Sequence, residues 1–239
     1  RIQRTSPPPL CNGWPSPRLL RGVDHTKDQS YVLFGAPRER LNEMLLPIGG
    51  LQKTEVRRLA REFGLPVFDK PDSQEICFVP DNDYAGLVSL RTPDRVRPGA
   101  VLDRRGRTIG EHPGHQHFTI GQRKGVGVAV GHPVYVVEKD PAANTITVGE
   151  KEDLHVDRVV ARETNWLMYP PQRAEPSSDQ SARADSSDWI SCKAKYRYNS
   201  PPVPAEVRLT RDDVLEVRFT EPQYGIAAGQ AVVCYDDEA

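Results

Sequence analysis

The sequence predicts an α+β, multidomain chain: a part-helical front, a small β-rich middle and an antiparallel β-barrel or sandwich at the end. Three observations predict it. Residues 51–63 carry the one clear helix-period pattern. From Pro98 onward the apolar residues come instead as short runs cut by Gly, Pro, Asp and Asn. Two stretches rich in Pro, Ser and polar residues, 5–18 and 169–188, interrupt the pattern and read as a surface loop and a flexible insertion. At 239 residues there is enough chain for one large core or two small ones.

Composition excludes some classes. With 32 Lys+Arg against 33 Asp+Glu there is no overall basic field, so any nucleic-acid contact must come from a local patch. No apolar run is long enough to span a bilayer, and no secretory signal is visible. Cys11, Cys77, Cys192 and Cys234 are scattered without CxxC spacing, which fits free thiols in a reducing cytoplasm.

Taken in order, Leu19–Phe34 has apolar ends around a polar centre, His25 to Ser30. It reads as a strand, a loop and a helix start capped by Thr26, Asp28 or Ser30. Lys27, Asp28 and Gln29 then lie near a helix N-terminus, where amides can hold a phosphate; a plain capped start facing water fits the same spacing. Pro37 can open a short helix through about Leu45. In 51–63, Thr54 is the expected N-cap, Val56, Leu59, Ala60 and Phe63 form one face, and Gly64 and Pro66 end the helix. Arg57, Arg58 and Arg61 line the opposite face, as a solvated row or an RNA contact.

Lys70-Pro-Asp-Ser-Gln-Glu-Ile-Cys-Phe-Val79 follows, with Cys77 just after Asp72 and Glu75. A thiol in such a polar stretch is either a reactive group or ordinary packing. Both carboxylates would raise its pKa, so a reactive Cys77 needs an offsetting positive group.

Pro98–Gly110 has two apolar runs around Asp-Arg-Arg-Gly, a hairpin signal. His112, His115 and His117 crowd together, but Pro113 and Gly114 break any helix that would align two imidazoles, and no metal cofactor is expected. Phe118–Val128 reads as a strand entering a glycine-rich turn, where Arg123 and Lys124 could help cradle phosphate; it is not a Walker loop. Val134–Val137 and Thr145–Val148 form a second hairpin. Four strands close the chain: Trp189–Tyr196, Val203–Leu209, Val214–Phe219 and Ala231–Tyr235. Alternation would put Lys193, Lys195 and Arg197 on one face and Tyr196 and Tyr198 on the other, either an RNA-facing strand or an exposed basic edge.

These pieces together closely resemble the tRNA-specific 2-thiouridylases, the MnmA family. The matching segments are Leu-Leu-Arg-Gly-Val-Asp-His-Thr-Lys-Asp-Gln-Ser-Tyr, Lys-Pro-Asp-Ser-Gln-Glu-Ile-Cys-Phe-Val, Gly110-Glu-His, Phe-Thr-Ile-Gly-Gln-Arg-Lys-Gly-Val-Gly-Val, Tyr-Val-Val-Glu-Lys-Asp, Lys-Tyr-Arg-Tyr and Ala-Gly-Gln-Ala-Val. The resemblance implies the C-terminal remnant of an α/β nucleotide-binding (HUP/PP-loop) domain at 1–83. A β-rich central domain at 84–152 and a C-terminal β-barrel at 153–239, with the insertion at 169–188, would follow. It implies ATP-dependent transfer of sulfur from a cysteine persulfide to C2 of the wobble uridine (position 34) of tRNA, a cytoplasmic sulfurtransferase activity. Cys77 matches the persulfide cysteine. Lys27, Asp28, Gln29, Lys195, Tyr196 and Gln230 match tRNA-contacting positions, although the family often has Arg where Lys195 stands. The implied partners are tRNA and a sulfur-relay protein or cysteine desulfurase.

The family's ATP loop, Ser-Gly-Gly-x-Asp-Ser, is absent from the sequence, as is the upstream catalytic cysteine. The expectation is therefore a C-terminal portion of the enzyme, with ATP and Mg2+ bound outside this chain and no tRNA adenylation by the chain alone. A non-catalytic tRNA-binding module and a general sulfur carrier are the alternatives.

Overall fold

The computed structural model describes residues 2–3, 17–70, 84–91, 96–167, 189–210 and 214–236. Cys11, Cys77 and the insertion at 169–188 lie outside them. Two compact units are present: one of Arg1–Lys70, Asp157–Glu221 and Gln230–Ala239, the other of Pro71–Val156 and Pro222–Gly229. Among the described residues no helix is long and apolar enough to cross a membrane.

The first unit opens with β1 (Ile2–Gln3) antiparallel to β2 (Arg18–Leu19). Single 3-10 turns follow at Ser30–Leu33, Arg38–Asn42 and Pro47–Gly50, then helix α1 (Lys53–Glu62). Two expectations are corrected here. The segment after Pro37 is a 3-10 turn anchored by fully buried Leu41, not a helix to Leu45. Thr54 does not cap α1: the helix starts at Lys53, whose N–H donates to Asp24 Oδ2 at 3.0 Å. A cap supplied from 29 residues upstream is invisible to a local reading. The C-terminus ends as expected, with Gly64 at φ +66 and the Leu65 N–H donating to the Ala60 carbonyl. The arginine row is engaged within the chain: Arg58 with Glu55 and Glu62, Arg57 on the Lys70 carbonyl, and Arg61 over the Phe68 ring.

A five-stranded sheet runs β11-β8-β9-β10-β7, from β7 (His155–Ala161), β8 (Ile190–Lys195), β9 (Val203–Leu209), β10 (Leu215–Tyr224) and β11 (Val233–Tyr235). The four expected strands are present and β7 is an addition. Period-2 burial is plain in β9, where Ala205, Val207 and Leu209 are buried and Glu206 and Arg208 are not. On the other face Arg208 pairs with Glu216 and Arg218 with Glu206, both across β9 and β10, and Trp189 lies under Arg158, Arg208 and Arg218. The expected alternation of cations and tyrosines fails because β8 ends at Lys195. Lys195 and Tyr196 are both buried, and the Lys195 ammonium lies over the Tyr198 ring instead of on the opposite face.

The second unit holds helix α2 (Tyr84–Arg91) and a four-stranded sheet in the order β4-β3-β6-β5. Its strands are β3 (Gly99–Leu102), β4 (Thr108–His112), β5 (Tyr135–Asp140) and β6 (Thr145–Gly149), with β3 and β6 parallel. Both hairpins stand where the turn residues put them. Asp103 Oδ1 accepts the N–H groups of Arg105 and Arg107, and Asp140 Oδ1 accepts those of Ala142 and Ala143. Helix α2 has Gly86 in its first turn and carries no helix-period pattern of apolar residues. Phe118–Val128 is not a strand but a series of turns, with Gly121, Gly125 and Gly127 at positive φ. Phe118 and Val126 plug into the core and leave Arg123 and Lys124 exposed. That core is Val101, Phe118, Val126, Val134, Val136, Ile146 and Val148. Val101, Val136 and Ile146 are fully buried, each contributing about 1.5–3 kcal/mol of hydrophobic stabilisation.

Among the described residues no group of three or more His, Cys, Asp or Glu could hold a metal ion. Of the clustered histidines, His115 Nδ1 is 3.0 Å from Asn144 Oδ1, and His112 turns inward, 2% exposed, edge-on to Phe118. Gly99 is what lets it in: a Cβ there would stand 2.0 Å from the Asn144 carbonyl oxygen and 2.7 Å from His112 Cε1. Neither His112 nitrogen makes a hydrogen bond of good geometry. Burial, with smaller contributions from His115 and His117, pushes this imidazole below its ordinary 6.5, and the nearby Asn144 backbone only partly opposes it. The unfolded chain therefore binds the His112 proton more tightly. Its contribution should be complete above about pH 7 and be lost as pH falls through 6.5, by up to about 1.4 kcal/mol per pH unit. Urea midpoints at pH 7.5 and 5.5, followed by circular dichroism, should show a smaller pH difference in His112→Leu than in wild type; equal differences would refute the assignment.

Candidate nucleic-acid interface

The Lys27–Gln29 segment is shaped by two aspartates that hydrogen-bond their own backbone, the habit of Asp in turns. Asp24 Oδ1 accepts the N–H and hydroxyl of Thr26 at 3.1 and 2.7 Å, while its Oδ2 takes the first amide of α1. These bonds hold the Asp24 carboxyl below its usual range, the Thr26 hydroxyl most of all. Asp28 is buried, 7% exposed, and its two oxygens collect four donors. Oδ1 accepts Gly22 N–H at 2.9 Å and Ser30 N–H at 3.1 Å; Oδ2 accepts Ser30 Oγ at 2.8 Å and Arg21 Nε at 3.2 Å. Desolvation alone would raise the Asp28 pKa, yet the combined donors lower it.

The helix start expected here is a single 3-10 turn with Gln29 at its N-cap and no side-chain cap, and its Ser30 amide is taken by Asp28. Asp28 and Ser30 are buried rather than facing water. Between the two aspartates His25, Thr26 and Lys27 are exposed, and Gln29 is exposed just beyond.

Strands β8 and β11 bring in the rest. Ser30 Oγ and Tyr235 Oη share a hydrogen bond of 3.0 Å, Tyr31 Oη donates to the Ala231 carbonyl at 3.0 Å, and Arg18 pairs with Asp236 at 2.9 Å. Arg21 stacks over the Tyr235 ring. The Lys195 ammonium lies 5.6 Å from the centre of the Tyr31 ring and 5.7 Å from that of Tyr198. Burial lowers the Lys195 pKa while the Asp28 charge opposes that fall. Burial also raises Tyr31 and Tyr235, so both stay protonated as hydrogen-bond donors.

Of the six positions matched to tRNA contact, Asp28 and Lys195 thus meet in one buried polar cluster. Lys27 and Gln29 flank it on the surface, and exposed Gln230 adjoins Ala231. Tyr196 turns its ring into the core, edge-on to Phe219 at 5.7 Å. Cys77 lies outside the described residues. Sequence reasoning missed Arg21, Tyr31 and Tyr235; Ser30 and Tyr235 are 205 residues apart, and nothing local marks the pairing.

Asp28→Ala should cost about 3–5 kcal/mol, because it strands Arg21 and the Gly22 and Ser30 donors in a buried site. Tyr235→Phe, which removes one hydroxyl, should cost about 1 kcal/mol. Urea denaturation of both variants at pH 7 checks the ranking, and a smaller loss for Asp28→Ala than for Tyr235→Phe would refute it.

Three family models match in succession: a tRNA methyl transferase HUP domain over residues 12–81, a tRNA methyl transferase PRC-barrel domain over 90–150, and an aminomethyltransferase beta-barrel domain over 156–239. The tRNA-specific 2-thiouridylase MnmA of Carboxydothermus hydrogenoformans is 42% identical over 219 residues, 91% of this chain and 56% of that protein. The protein of the same name from Geotalea uraniireducens is 41% identical, over 92% of this chain and 55% of the relative. That of Clostridioides difficile is 39% identical, over 92% and 57%. The chain thus spans about half the length of the curated relatives it matches. Its HUP portion, PRC-barrel and C-terminal barrel follow one another as in a single family, and the chain belongs to the tRNA-specific 2-thiouridylases.

Proposed function

We propose that this chain supplies the tRNA-binding and sulfur-carrying part of a cytoplasmic tRNA-uridine 2-sulfurtransferase. Its domains would divide at about residues 83 and 152. The observation that carries the reading is the run of three family matches in order, with Cys77 inside the first. The polar cluster supports it: Asp28 consumes the inward donors, so Lys27 and Gln29 are left outward on a rigid turn where an RNA backbone can reach them. Asp28, Lys195 and Tyr196 would then act by shaping that surface, and Gln230 by extending it.

In this reading Cys77 accepts a sulfur atom from a cysteine desulfurase or relay protein and carries it as a persulfide. The outer sulfur forms the bond to C2 of the wobble uridine as the bond from C2 to its activated oxygen breaks. A second thiol then attacks the inner sulfur and the sulfur–sulfur bond breaks; the outer sulfur stays on the uridine, and the second thiol and Cys77 remain as a disulfide. ATP supplies the activation of the C2 oxygen in the family. The residues of this chain do not fit that nucleotide: the sequence has no Ser-Gly-Gly-x-Asp-Ser loop, and its glycine-rich turn at 118–128 lacks the strand–loop–helix setting of a phosphate loop. No step through ATP is assigned to these residues.

Incubating the purified chain with a cysteine desulfurase and cysteine should add one sulfur to the intact mass, and Cys77→Ala should abolish the gain. No gain on a folded chain would leave only the tRNA-binding module. A chain that takes up sulfur but binds no tRNA would be a general carrier. For the RNA contact, filter binding of tRNA between 50 and 200 mM salt should give a log–log slope that Lys27→Ala reduces by about 0.7–0.9, the value of one phosphate contact. An unchanged slope would remove Lys27 from the interface.

A further inference from the structure

Two cysteines outside the proposed reaction lie on neighbouring strands. Cys192 is on β8 and Cys234 on β11, the edge strand of the sheet, and both are reduced thiols of intermediate exposure. The antiparallel register sets Cys234 opposite Ala194, so Cys192 is two residues along on the same face, at the diagonal position. Across β9 Cys192 faces Ala205, so small side chains surround the pair. The two thiols are hydrogen-bonded to each other. That bond, ahead of burial, keeps the Cys234 thiol well above its ordinary range.

We propose that Cys192 and Cys234 are a disulfide-forming pair, oxidised by a low-molecular-weight disulfide, that latches the edge strand β11 to β8. The Cys192 thiol loses its proton and its sulfur attacks the small disulfide, expelling one small thiol and leaving a mixed disulfide on Cys192. The Cys234 thiol then gives up its proton and attacks the Cys192 sulfur, expelling the second small thiol. Two protein thiols lose two electrons and two protons, and the small disulfide is reduced to two thiols. The latch has a mechanical consequence. β11 is only three residues long and carries Tyr235, which reaches Ser30 beside Asp28, so the disulfide fixes the strand on which the Lys27–Gln29 turn rests.

The test uses the full chain with Cys11→Ser and Cys77→Ser, exposed to excess oxidised glutathione and then alkylated. The intact mass should fall by two hydrogens with no alkylation, and peptide mapping should join the 192 and 234 peptides. The Tm should rise by about 5 °C or more over the reduced form. Adding Cys192→Ser should abolish both the crosslink and the rise. Two glutathione adducts, two alkylated thiols on a folded chain, or a crosslink without a change in Tm would overturn the proposal. Non-reducing peptide mapping of the wild-type chain gives the same reading without substitutions, and Cys234 joined to Cys11 or Cys77 would overturn it as well.

Discussion

The arrangement of the first unit depends on one buried carboxylate. Asp28 is taken out of water, a change that by itself costs several kcal/mol for an ion, and four donors offset it. Each donor fixes something different. Gly22 N–H closes the loop on itself, Ser30 N–H starts the 3-10 turn, Ser30 Oγ passes the network on to Tyr235, and Arg21 adds the compensating charge. A carboxylate with fewer partners could not stay buried, and without burial the loop would have no fixed geometry. The rigidity of Lys27 and Gln29 is therefore bought with charge burial rather than with apolar contacts.

The contrast within residues 17–70 supports this. Pro17, Leu20 and Leu41 are the buried apolar side chains among these described residues, while Leu45, Ile48, Phe63 and Val67 are all more than half exposed. With so little hydrophobic area removed from water, polar devices hold the stretch: the Asp24 cap on α1, the Asp28 cluster, and Asn165 donating to the Phe34 and Ala36 carbonyls. The second unit is built the opposite way, around a cluster of valines, Ile146 and Phe118. Its polar groups serve turns, and His112 enters the interior only as a neutral ring.

What the sequence revealed follows the same division. Both hairpins of the second unit and the four expected strands of the five-stranded sheet were legible, because each is written in neighbouring residues: a period of two and a turn-forming Asp, Asn or Gly. The polar cluster was only half legible. Its motif residues Lys27, Asp28, Gln29, Lys195 and Gln230 emerged from the family resemblance, but their roles depend on partners about 200 residues away, Tyr235 for Ser30 and Ala231 for Tyr31. Local reading also misplaced the α1 cap, since Thr54 is the better capping residue on paper and Asp24 wins through tertiary proximity. The alternation across Lys193–Tyr198 failed for a related reason: period two holds only while the strand lasts, and β8 stops at Lys195.

Lys195 shows how far the cluster constrains chemistry. A buried ammonium needs negative charge or electron-rich faces, and it has the Asp28 field and the rings of Tyr31 and Tyr198. Asp28 in turn already carries Arg21 at 3.2 Å, so the cluster holds two cations for one anion. With the exposed Lys27 added, three cations stand against the Asp24 and Asp28 carboxylates around this turn, so in the proposed tRNA-binding role a chain of net charge −1 would still offer phosphate a local positive balance. A guanidinium at position 195, as the family resemblance suggests for many relatives, would keep the same excess and stack on the same rings. The charge excess, rather than the lysine as such, is what the architecture provides.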